Sequence, residues 1–539
     1  MRAFARLLDR LAFTPARNGK LTLLKDYFAA VPDPERGWAL ASLTGALSFN
    51  EAKPQFIRKA VEARMDPQLF ALSYDHVGDL AETAALVWPG PADGAVPNRE
   101  PELPEVVDAL RSASRREVQA LLERWLDALD ADGRWALLKL LTGGLRVGVS
   151  ARLAKQALAA LGGVPVEEIE EVWHGQHPPY EDLFAWLEKR SGKPTADTPA
   201  RFRPVMLAQA IDEEKDFALL DPADYVAEWK WDGIRVQAAH EGHQKRLWSR
   251  TGDDIGAAFP DLLAAMDFEG VLDGELLVRR DGGGVASFAD LQQRLNRKSA
   301  DAALQAKYPV FLRAYDLLMD GDEDLRPLPF VERRRRLEVF AARLPQGRFD
   351  LSPLQPFASW DELRALRANP PPGDAAIAEG LMLKRRDSIY EAGRPRGPWF
   401  KWKRDPHVVD AVLMYAQRGH GKRSGFYSDF TFGVWRKDAN GEDHLTPVGK
   451  AYFGFTDEEL KQLDKFVRDN TVERFGPVRA VRAGKDFGLV LEVAFEGLAR
   501  SARHKSGVAM RFPRISRIRW DKPAREADDL VRLEELLDN

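Results

Sequence analysis

The segment EWKWDGIRVQ, Glu228 to Gln237, places a lysine two residues before an aspartate and three before a glycine. Its aromatic and β-branched residues are typical of a buried strand. If one strand runs through the segment, Lys230 and Asp232 point to the same face, because side chains alternate with a period of two. Lys230 is then either part of a charged surface turn or a nucleophile, and the segment alone leaves both interpretations open.

Two later segments repeat this alternation. Asp273 and Glu275 alternate in LDGELLV, and Lys401 and Lys403 alternate in WFKWKR. Three strands that each aim a charged pair in one direction predict a polar pocket between two sheets. Solvated sheet faces would give the same pattern, so the alternation alone does not decide between them.

The charges indicate what such a pocket would hold. Six cations suit a polyphosphate: Lys230, Arg235, Arg250, Lys384, Lys401 and Lys403. The carboxylates Glu275 and Glu379 suit a ribose hydroxyl and a divalent cation. A P-loop is not indicated, because RGHGKRSG at residues 418–425 lacks the required spacing of glycine and lysine.

The length of 539 residues exceeds what one hydrophobic core serves and favours about three domains. Amphipathic helical spacing predicts an all-α domain over residues 1–204, closed by the polar linker KRSGKPTADTPARFRP. Short β-like runs among helical patterns predict an α+β domain over 205–405. Strands with Gly-rich turns then predict a small C-terminal β-barrel of OB type over 406–539. The fold class is therefore multidomain.

Composition excludes several classes of function. The net charge of −4 gives no global sign of nucleic acid, so any basic surface must be local. The sequence has no cysteine, which removes disulfides, thiol catalysis and thiolate zinc sites. The pairs His174/His177 and His240/His243 lack a helical Glu base, and we interpret them as surface histidines. With no long apolar run, a cytoplasmic protein without a membrane partner is expected.

Seven segments taken in order carry a family resemblance. KWDG, SRTGDD, LDGELL, AYDLL, AEGLMLK, WFKWK and MRFPRISRIRWDK resemble the motif series of the ATP-dependent DNA ligases. The helical part, with YDHVGDLAETAAL and LLTGGLRVGV, is similar to the DNA-binding domain of larger ligases, and the tail is similar to their OB domain. The resemblance covers nearly the whole chain and is to the compact three-domain bacterial type. It implies an ATP-grasp-like nucleotidyltransferase as the central domain.

The resemblance implies a role for the residues that would surround ATP. Lys230 would attack the α-phosphate and form lysyl–AMP, while Glu228 would read the adenine amino group. Tyr315 would stack on the base, unless it is a core residue. Glu275 would bind the ribose. Together with Glu379 it would also bind a divalent cation, which would be Mg²⁺, with Mn²⁺ as an alternative.

The remaining residues of the pocket would contact phosphates or strand ends. Arg235 and Arg250 match positions near the ribose and the nick phosphate, and ordinary surface arginines are the alternative. The phosphate contacts would be Lys384, Lys401 and Lys403, of which Lys403 is also catalytic. Lys384 has an alternative role as half of a structural ion pair. Asp232 would organise the 3′-hydroxyl.

Residues 500–522 contain eight Lys/Arg against one acid, Asp521, which predicts a local basic surface or a solvated charged face. The resemblance implies that Arg511 and Arg514 orient pyrophosphate, and that the OB domain turns between a face over ATP and a face on duplex. Four residues would contact DNA: Phe288, Phe512, Arg146 and Arg517. Arg146 lies in the expected contact loop Thr142 to Gly148.

The resemblance therefore implies an enzyme that seals 5′-phosphate/3′-hydroxyl nicks in duplex DNA, acting as a monomer at the bacterial nucleoid. An RNA ligase or a capping-type nucleotidyltransferase shares the KxDG lysine, but the large helical N-terminal region argues against both. An NAD-dependent ligase is disfavoured because its cysteine zinc module is absent. A nick-binding protein without catalysis is the alternative from another class.

Overall fold

The computed structural model divides the chain into two compact units. One comprises Met1–Ala157 with Asp405–Asn539, and the other comprises Leu158–Arg404. The structure describes residues 1–49, 51–77, 79–91, 99–194, 199–280, 282–295, 297, 299–418, 427–438, 440–452, 456–476, 478–502 and 504–538. Residues 419–425 of the rejected P-loop segment lie outside these residues, and so does Arg503 of the basic run.

The N-terminal region is helical, as its spacing predicts. In the first helix, Phe4, Leu7, Leu8 and Leu11 are buried on one stripe. The helices are α1 (Arg2–Phe13), α2 (Arg17–Ala30), α3 (Glu35–Thr44), α4 (Gln55–Glu62), α5 (Pro67–Val77), α6 (Leu80–Val87), α7 (Leu103–Ser112), α8 (Arg115–Ala128), α9 (Ala131–Thr142) and α10 (Ala151–Gly162).

The unit Leu158–Arg404 mixes helices and strands. Its helices are α11 (Val166–Val172), α12 (Glu181–Leu187), α13 (Glu213–Asp216), α14 (Pro260–Ala265), α15 (Phe288–Leu295), α16 (Ala302–Lys307), α17 (Phe330–Ala341) and α18 (Trp360–Ala368). Its strands are β1 (Gln209–Ala210), β2 (Tyr225–Trp229), β3 (Ile234–Glu241), β4 (Gln244–Ser249), β5 (Gly270–Val278), β6 (Val310–Asp320), β7 (Glu323–Asp324), β8 (Phe349–Leu351), β9 (Leu354–Gln355), β10 (Gly380–Arg385) and β11 (Trp399–Lys403).

These strands form two sheets. One has the order β1-β11-β10-β2-β9, and the other has the order β4-β3-β5-β6-β7 with β8 beside β6. The condition that one strand runs through the opening segment is not met. β2 ends at Trp229 and β3 begins at Ile234 in the other sheet, so Lys230 and Asp232 lie in the connection between sheets. Alternation along a strand therefore does not relate their side chains.

The C-terminal region is strand-rich and OB-like. The strand pairs among its described residues are antiparallel, and three of these seven pairs involve the long strand β12. Its strands are β12 (His407–Arg418), β13 (Tyr427–Lys437), β14 (Asp443–Ala451), β15 (Thr471–Phe475), β16 (Val478–Val481), β17 (Val490–Phe495), β18 (Gly497–Arg500), β19 (Val508–Arg511) and β20 (Arg514–Arg519). Its helices are α19 (Asp457–Asp469) and α20 (Leu530–Asp538). The predicted Thr456/Glu459 capping box opens α19.

The described residues lack two kinds of feature, a membrane-spanning helix and a cluster of metal-binding side chains. No helix there has the length and apolarity that crossing a bilayer requires. No three His, Cys, Asp or Glu side chains in the described ranges group closely enough to hold a metal ion. His174, from one of the HxxH pairs, packs its ring 4.5 Å from that of Trp248.

Candidate active site

The loop that carries Lys230 is fixed on both sides by backbone hydrogen bonds. The Lys230 N–H donates to the carbonyl of Gly380 at 2.8 Å, and the Glu379 N–H donates to the carbonyl of Lys230 at 2.7 Å. The next residue is buried: the Trp231 indole donates to Ser352 Oγ at 3.0 Å, and the Arg313 guanidinium lies 4.3 Å from its ring centroid. These contacts hold the lysine backbone against the start of β10.

The Lys230 ammonium forms an ion pair with the Glu379 carboxylate. Both side chains are partly exposed, at 23% and 19%. Lys403 Nζ lies 4.0 Å from the same carboxylate oxygen. The Lys–Glu pair joins two residues 149 positions apart in the chain, so the fold brings the predicted nucleophile and the predicted metal-binding carboxylate together.

A group of cations surrounds this pair. On β11, Lys401 and Lys403 alternate with the buried Trp402, as predicted, and Lys401 pairs in register with Met382 of β10. Burial lowers the pKa of Lys401, and four neighbouring cations lower it further: Arg394, Lys403, Lys230 and Arg250. Arg250 is exposed in the turn after β4. The cations predicted for a polyphosphate therefore lie near one another, apart from Arg235 and Lys384.

Arg394 is a member of this group that the sequence patterns did not identify. The preceding residue, Gly393, is held by backbone hydrogen bonds from Leu207 at 2.7 Å and to Val205 at 3.0 Å. The run GRPRGPW offered several basic residues before β11. No spacing rule selected Arg394 among them, because its position depends on the pairing of a loop with residues almost 190 positions earlier.

The facing sheet contributes Arg235, Asp273 and Glu275. Arg235 donates to both oxygens of the fully buried Asp273, at 3.0 and 2.6 Å, and to Tyr390 Oη at 3.1 Å. Burial would lower the pKa of Arg235, but Asp273 and two tyrosines raise it well above its usual value. Arg235 is thus a partly buried ion-pair residue of the pocket wall, with 15% of its side chain exposed, rather than a surface arginine.

Glu275 lies opposite Arg235 in the β3–β5 register. Burial raises the pKa of Glu275 to about 8, against the opposing influence of Lys230 and Arg235, and the charge of Glu379 raises it further. These influences locate Glu275 beside the Lys230–Glu379 pair. Near neutral pH its carboxyl is largely protonated and can donate a hydrogen bond. A ribose hydroxyl can accept that bond.

Tyr315 owes its position to a β-bulge. Asp273 pairs with Asp316, and Gly274 pairs with Ala314, so Tyr315 is the extra residue of β6. The ring is half-buried and lies between two cations, with Arg235 5.8 Å and Lys384 4.7 Å from its centroid. A partly exposed ring at this position fits a stacking platform better than a core residue.

Lys384 differs from the expectation of a phosphate contact. Its side chain is 2% exposed, and Nζ lies 3.3 Å from Glu228 Oε1. Three aromatic rings surround the ammonium, with centroids 4.7 Å away for Tyr315, 4.7 Å for Trp399 and 4.9 Å for Phe330. The alternative, half of a buried ion pair, is what the structure contains. The sequence left both roles open, because the residues that surround the ammonium come from distant segments of the chain.

Two other predicted residues receive less support from the geometry. Asp232 is half-buried in the connection after Lys230. Phe288 begins α15 and packs, partly buried, against the core of the β3–β5–β6 sheet. That packing favours a structural role for Phe288 over a wedge at a DNA nick.

The unit that contains the C-terminal region holds the predicted DNA and pyrophosphate contacts. Phe512, in the turn between β19 and β20, is 58% exposed and has φ of 50°. The Arg511 guanidinium lies 5.3 Å from its ring centroid. Arg514 is 3.9 Å from Glu496, and Arg517 is exposed opposite Glu492 in the β17–β20 register.

The predicted N-terminal contact loop also has an unusual backbone. Gly143 ends α9 in the left-handed conformation, and the exposed Arg146 has φ of 51°. Lys20 donates from Nζ to the carbonyls of Val147 at 2.6 Å and Gly148 at 3.1 Å. A buried lysine thus fixes the loop and leaves Arg146 projecting from it.

Known proteins share this combination of sequence and fold. Residues 205–403 match the family described as the ATP dependent DNA ligase domain, and residues 423–522 match the ATP dependent DNA ligase C terminal region. A probable DNA ligase of Koribacter versatilis is 32% identical over 99% of this chain and 96% of its own length. The chain belongs to the ATP-dependent DNA ligases.

Two further comparisons agree with membership of the ATP-dependent DNA ligases. DNA ligase 1 of Korarchaeum cryptofilum is 30% identical over 99% of this chain and 98% of its own length. The solved structure named Pmar-Lig_PreS3 covers 96% of this chain with a TM-score of 0.55 and 15% identity, which supports the fold alone. The predicted family is confirmed, and the activity of that family is the sealing of nicks in DNA.

Proposed function

We propose that this DNA ligase seals 5′-phosphate/3′-hydroxyl nicks through an adenylate carried on Lys230. One observation carries the assignment: the Lys230 amine lies against Glu379 within a group of cations formed by Lys401, Lys403 and Arg250. Positive charge fixed around a transferring phosphoryl group is the main way in which a protein accelerates such a reaction.

The first step is self-adenylation. The Lys230 nitrogen attacks the α-phosphorus of ATP, the new N–P bond forms, the bond to the β-phosphate oxygen breaks, and pyrophosphate leaves. The attacking amine must be neutral, so the Lys230 ammonium first loses a proton to solvent, and its ion pair with Glu379 is broken. Lys401 and Lys403 contact the phosphates, while Glu228 reads the adenine amino group and Tyr315 stacks on the base.

Two transfers complete the reaction. The nick 5′-phosphate oxygen attacks the adenylate phosphorus and displaces Lys230. This attack forms a pyrophosphate link between DNA and AMP. The 3′-hydroxyl oxygen then attacks the 5′-phosphorus, AMP leaves, and the phosphodiester bond closes. In this proposal Asp232 organises the 3′-hydroxyl, and Arg235 holds the pocket wall through its pair with Asp273.

The carboxylate of Glu379 fits a hard divalent cation, and Glu275 would join it once the bound cation displaces the proton of its carboxyl. Mg²⁺ is usually held by one or two carboxylates together with substrate phosphates and waters, and Glu379 and Glu275 are neighbouring carboxyls beside the cation group. When bound there, Mg²⁺ or Mn²⁺ would neutralise phosphate charge. Association with Glu379 would also weaken its hold on the Lys230 ammonium.

We further propose three domains, with boundaries at 1–204, 205–405 and 406–539, and nicked duplex DNA as the partner of a monomer at the nucleoid. Arg146, Phe512 and Arg517 are exposed in the first and third of these domains and would contact DNA. Arg511 and Arg514 would orient the leaving pyrophosphate. Phosphate contacts of this kind give little sequence selectivity.

Intact-mass spectrometry of the purified chain with ATP and Mg²⁺ tests the proposal. We expect one added adenylyl group, located on Lys230 by peptide mapping and lost when nicked duplex is supplied, with sealed product formed. Labelling by GTP instead of ATP would support a capping-type enzyme. Tight binding to nicks without any adduct would support a non-catalytic nick-binding protein.

A further inference from the structure

A pair of buried opposite charges lies beside the nucleotide pocket. Lys384 on β10 and Glu228 on β2 are each 2% exposed, and Nζ lies 3.3 Å from Oε1. Removing two charges from water is costly unless their mutual attraction and further hydrogen bonds offset the loss of hydration. Glu228 also lies two residues before Lys230, close to the end of β2, which connects the geometry of the pair to the reaction.

Two cations approach the Glu228 carboxylate at the same oxygen. Arg334 Nη1 lies 3.8 Å from Oε1, the same oxygen that Lys384 approaches. Arg334 is itself fixed, because Nη1 donates to the carbonyl of Ser352 at 2.9 Å. In both ion pairs Oε1 is the nearer carboxylate oxygen. Two fixed cations on Oε1 therefore set the direction in which Oε2 points.

The same lysine also fixes the expected stacking residue. Lys384 Nζ donates to the Tyr315 carbonyl at 3.3 Å and lies 4.7 Å from the centre of the Tyr315 ring. Lys384 comes from one sheet and Tyr315 from the other. A single buried ammonium thus couples the group that would read the edge of a purine to the group that would stack on its face.

We propose that Lys384 is a positioning residue that sets the choice of nucleobase, an inference that rests on the proposed binding of ATP at this site. Held by Lys384, Glu228 presents a carboxylate oxygen to the base. The 6-amino group of adenine donates to that oxygen, whereas O6 of guanine is an acceptor and is repelled. Without Lys384 only the more distant Arg334 holds the carboxylate, so both the attraction and the repulsion weaken.

Single-turnover labelling of Lys230 tests this inference with three nucleotides: ATP, GTP and purine riboside triphosphate, which lacks the 6-amino group. For Lys384→Met we expect a rise of about 10- to 100-fold in the ATP concentration at half-saturation, with a similar loss of preference over both analogues. The rate at saturating ATP should change little, since the phosphate contacts remain. Lys384→Arg should restore part of the preference.

Two variants guard against misinterpretation. Lys215→Met makes the same substitution at an exposed lysine of the same unit, paired with Asp212, and should leave every value unchanged. Glu228→Gln keeps the size of the side chain and should lose the preference even where Lys384→Met folds poorly, as judged by thermal unfolding.

The outcomes separate this inference from the proposed function. If wild-type protein is not labelled by ATP, the proposed function fails and the inference fails with it. If wild-type protein is labelled but Lys384→Met and Glu228→Gln keep the full preference for ATP, the inference alone is overturned. A lower saturating rate with unchanged half-saturation would place Lys384 at the phosphates instead.

Discussion

At the scale of single residues, the nucleophile is the first group to test. Lys230→Ala removes the only atom that the proposed reaction can adenylate, so labelling and sealing should both fall below detection. Binding to nicked duplex should remain within about threefold, because phosphate contacts elsewhere carry affinity. Labelling with radioactive ATP and a gel-shift titration measure the two effects. Residual adenylation of the alanine variant on another residue would contradict the assignment.

Glu275 gives a prediction for stability against pH. Its pKa is about 8 in the folded protein, above the ordinary 4.5, so the folded state keeps a proton that the unfolded chain loses. The contribution of this protonated carboxyl to the free energy of unfolding is full below about pH 4.5 and is lost as pH rises through 8. Without nucleotide, the stability of wild type relative to Glu275→Gln should therefore fall between pH 5 and 8, by at most about 1.4 kcal/mol per pH unit. Denaturant titrations at several pH values measure it; a pH-independent difference would contradict it.

At the scale of elements, the turn between β19 and β20 combines exposure with backbone strain. Phe512 has φ of 50°, a conformation that costs a non-glycine residue about 1–2 kcal/mol. Phe512→Gly should therefore leave thermal stability unchanged or higher, while sealing falls because the aromatic side chain is lost. Adenylation of Lys230 should not change. Phe475→Ala, at another exposed ring in the same region, should leave sealing intact; an equal loss there would remove the special role of Phe512.

The secondary-structure elements also show how much of the fold and of the site the sequence predicts. The strands β5 and β11 follow the predicted alternation, and the family motifs locate Lys230, Glu379, Lys401 and Lys403 together. The alternation considered for Lys230 and Asp232 fails because β2 ends at Trp229, although aromatic residues continue into the turn and the pairing partners are distant in sequence. For Lys384 the sequence left a phosphate contact and an ion pair open, since its aromatic surroundings come from three other elements.

The basic run at residues 500–522 illustrates the same limit. Counting the charges of residues 500–522 alone predicts a strongly positive surface, but acids from elsewhere in the chain lie beside some of these cations. Asp410 lies 3.4 Å from Arg519 and 2.7 Å from Lys522, and Glu496 lies 3.9 Å from Arg514. The excess that remains is smaller than the window suggests, because cross-strand neighbours are invisible to a local count.

At the scale of the whole molecule, the two activities should respond differently to salt. The chain is net acidic, so its affinity for DNA must come from local cations whose phosphate contacts release counterions. With about six such contacts, sealing at low DNA concentration should fall by roughly 10³ between 50 and 200 mM salt. Adenylation, which takes place among partly buried charges, should change by only a few fold, because buried pairs are less screened.

Arg146 separates this prediction from a general effect of salt on the protein. It projects from a loop anchored by Lys20, so its loss should remove one phosphate contact without disturbing the fold. Arg146→Ala should lower the slope of log affinity against log salt by about one, measured by fluorescence anisotropy on nicked duplex. Arg99→Ala, which removes an exposed arginine paired with Glu105, should keep the wild-type slope. Equal slopes for all three proteins would mean that the helical region does not grip the duplex through this loop.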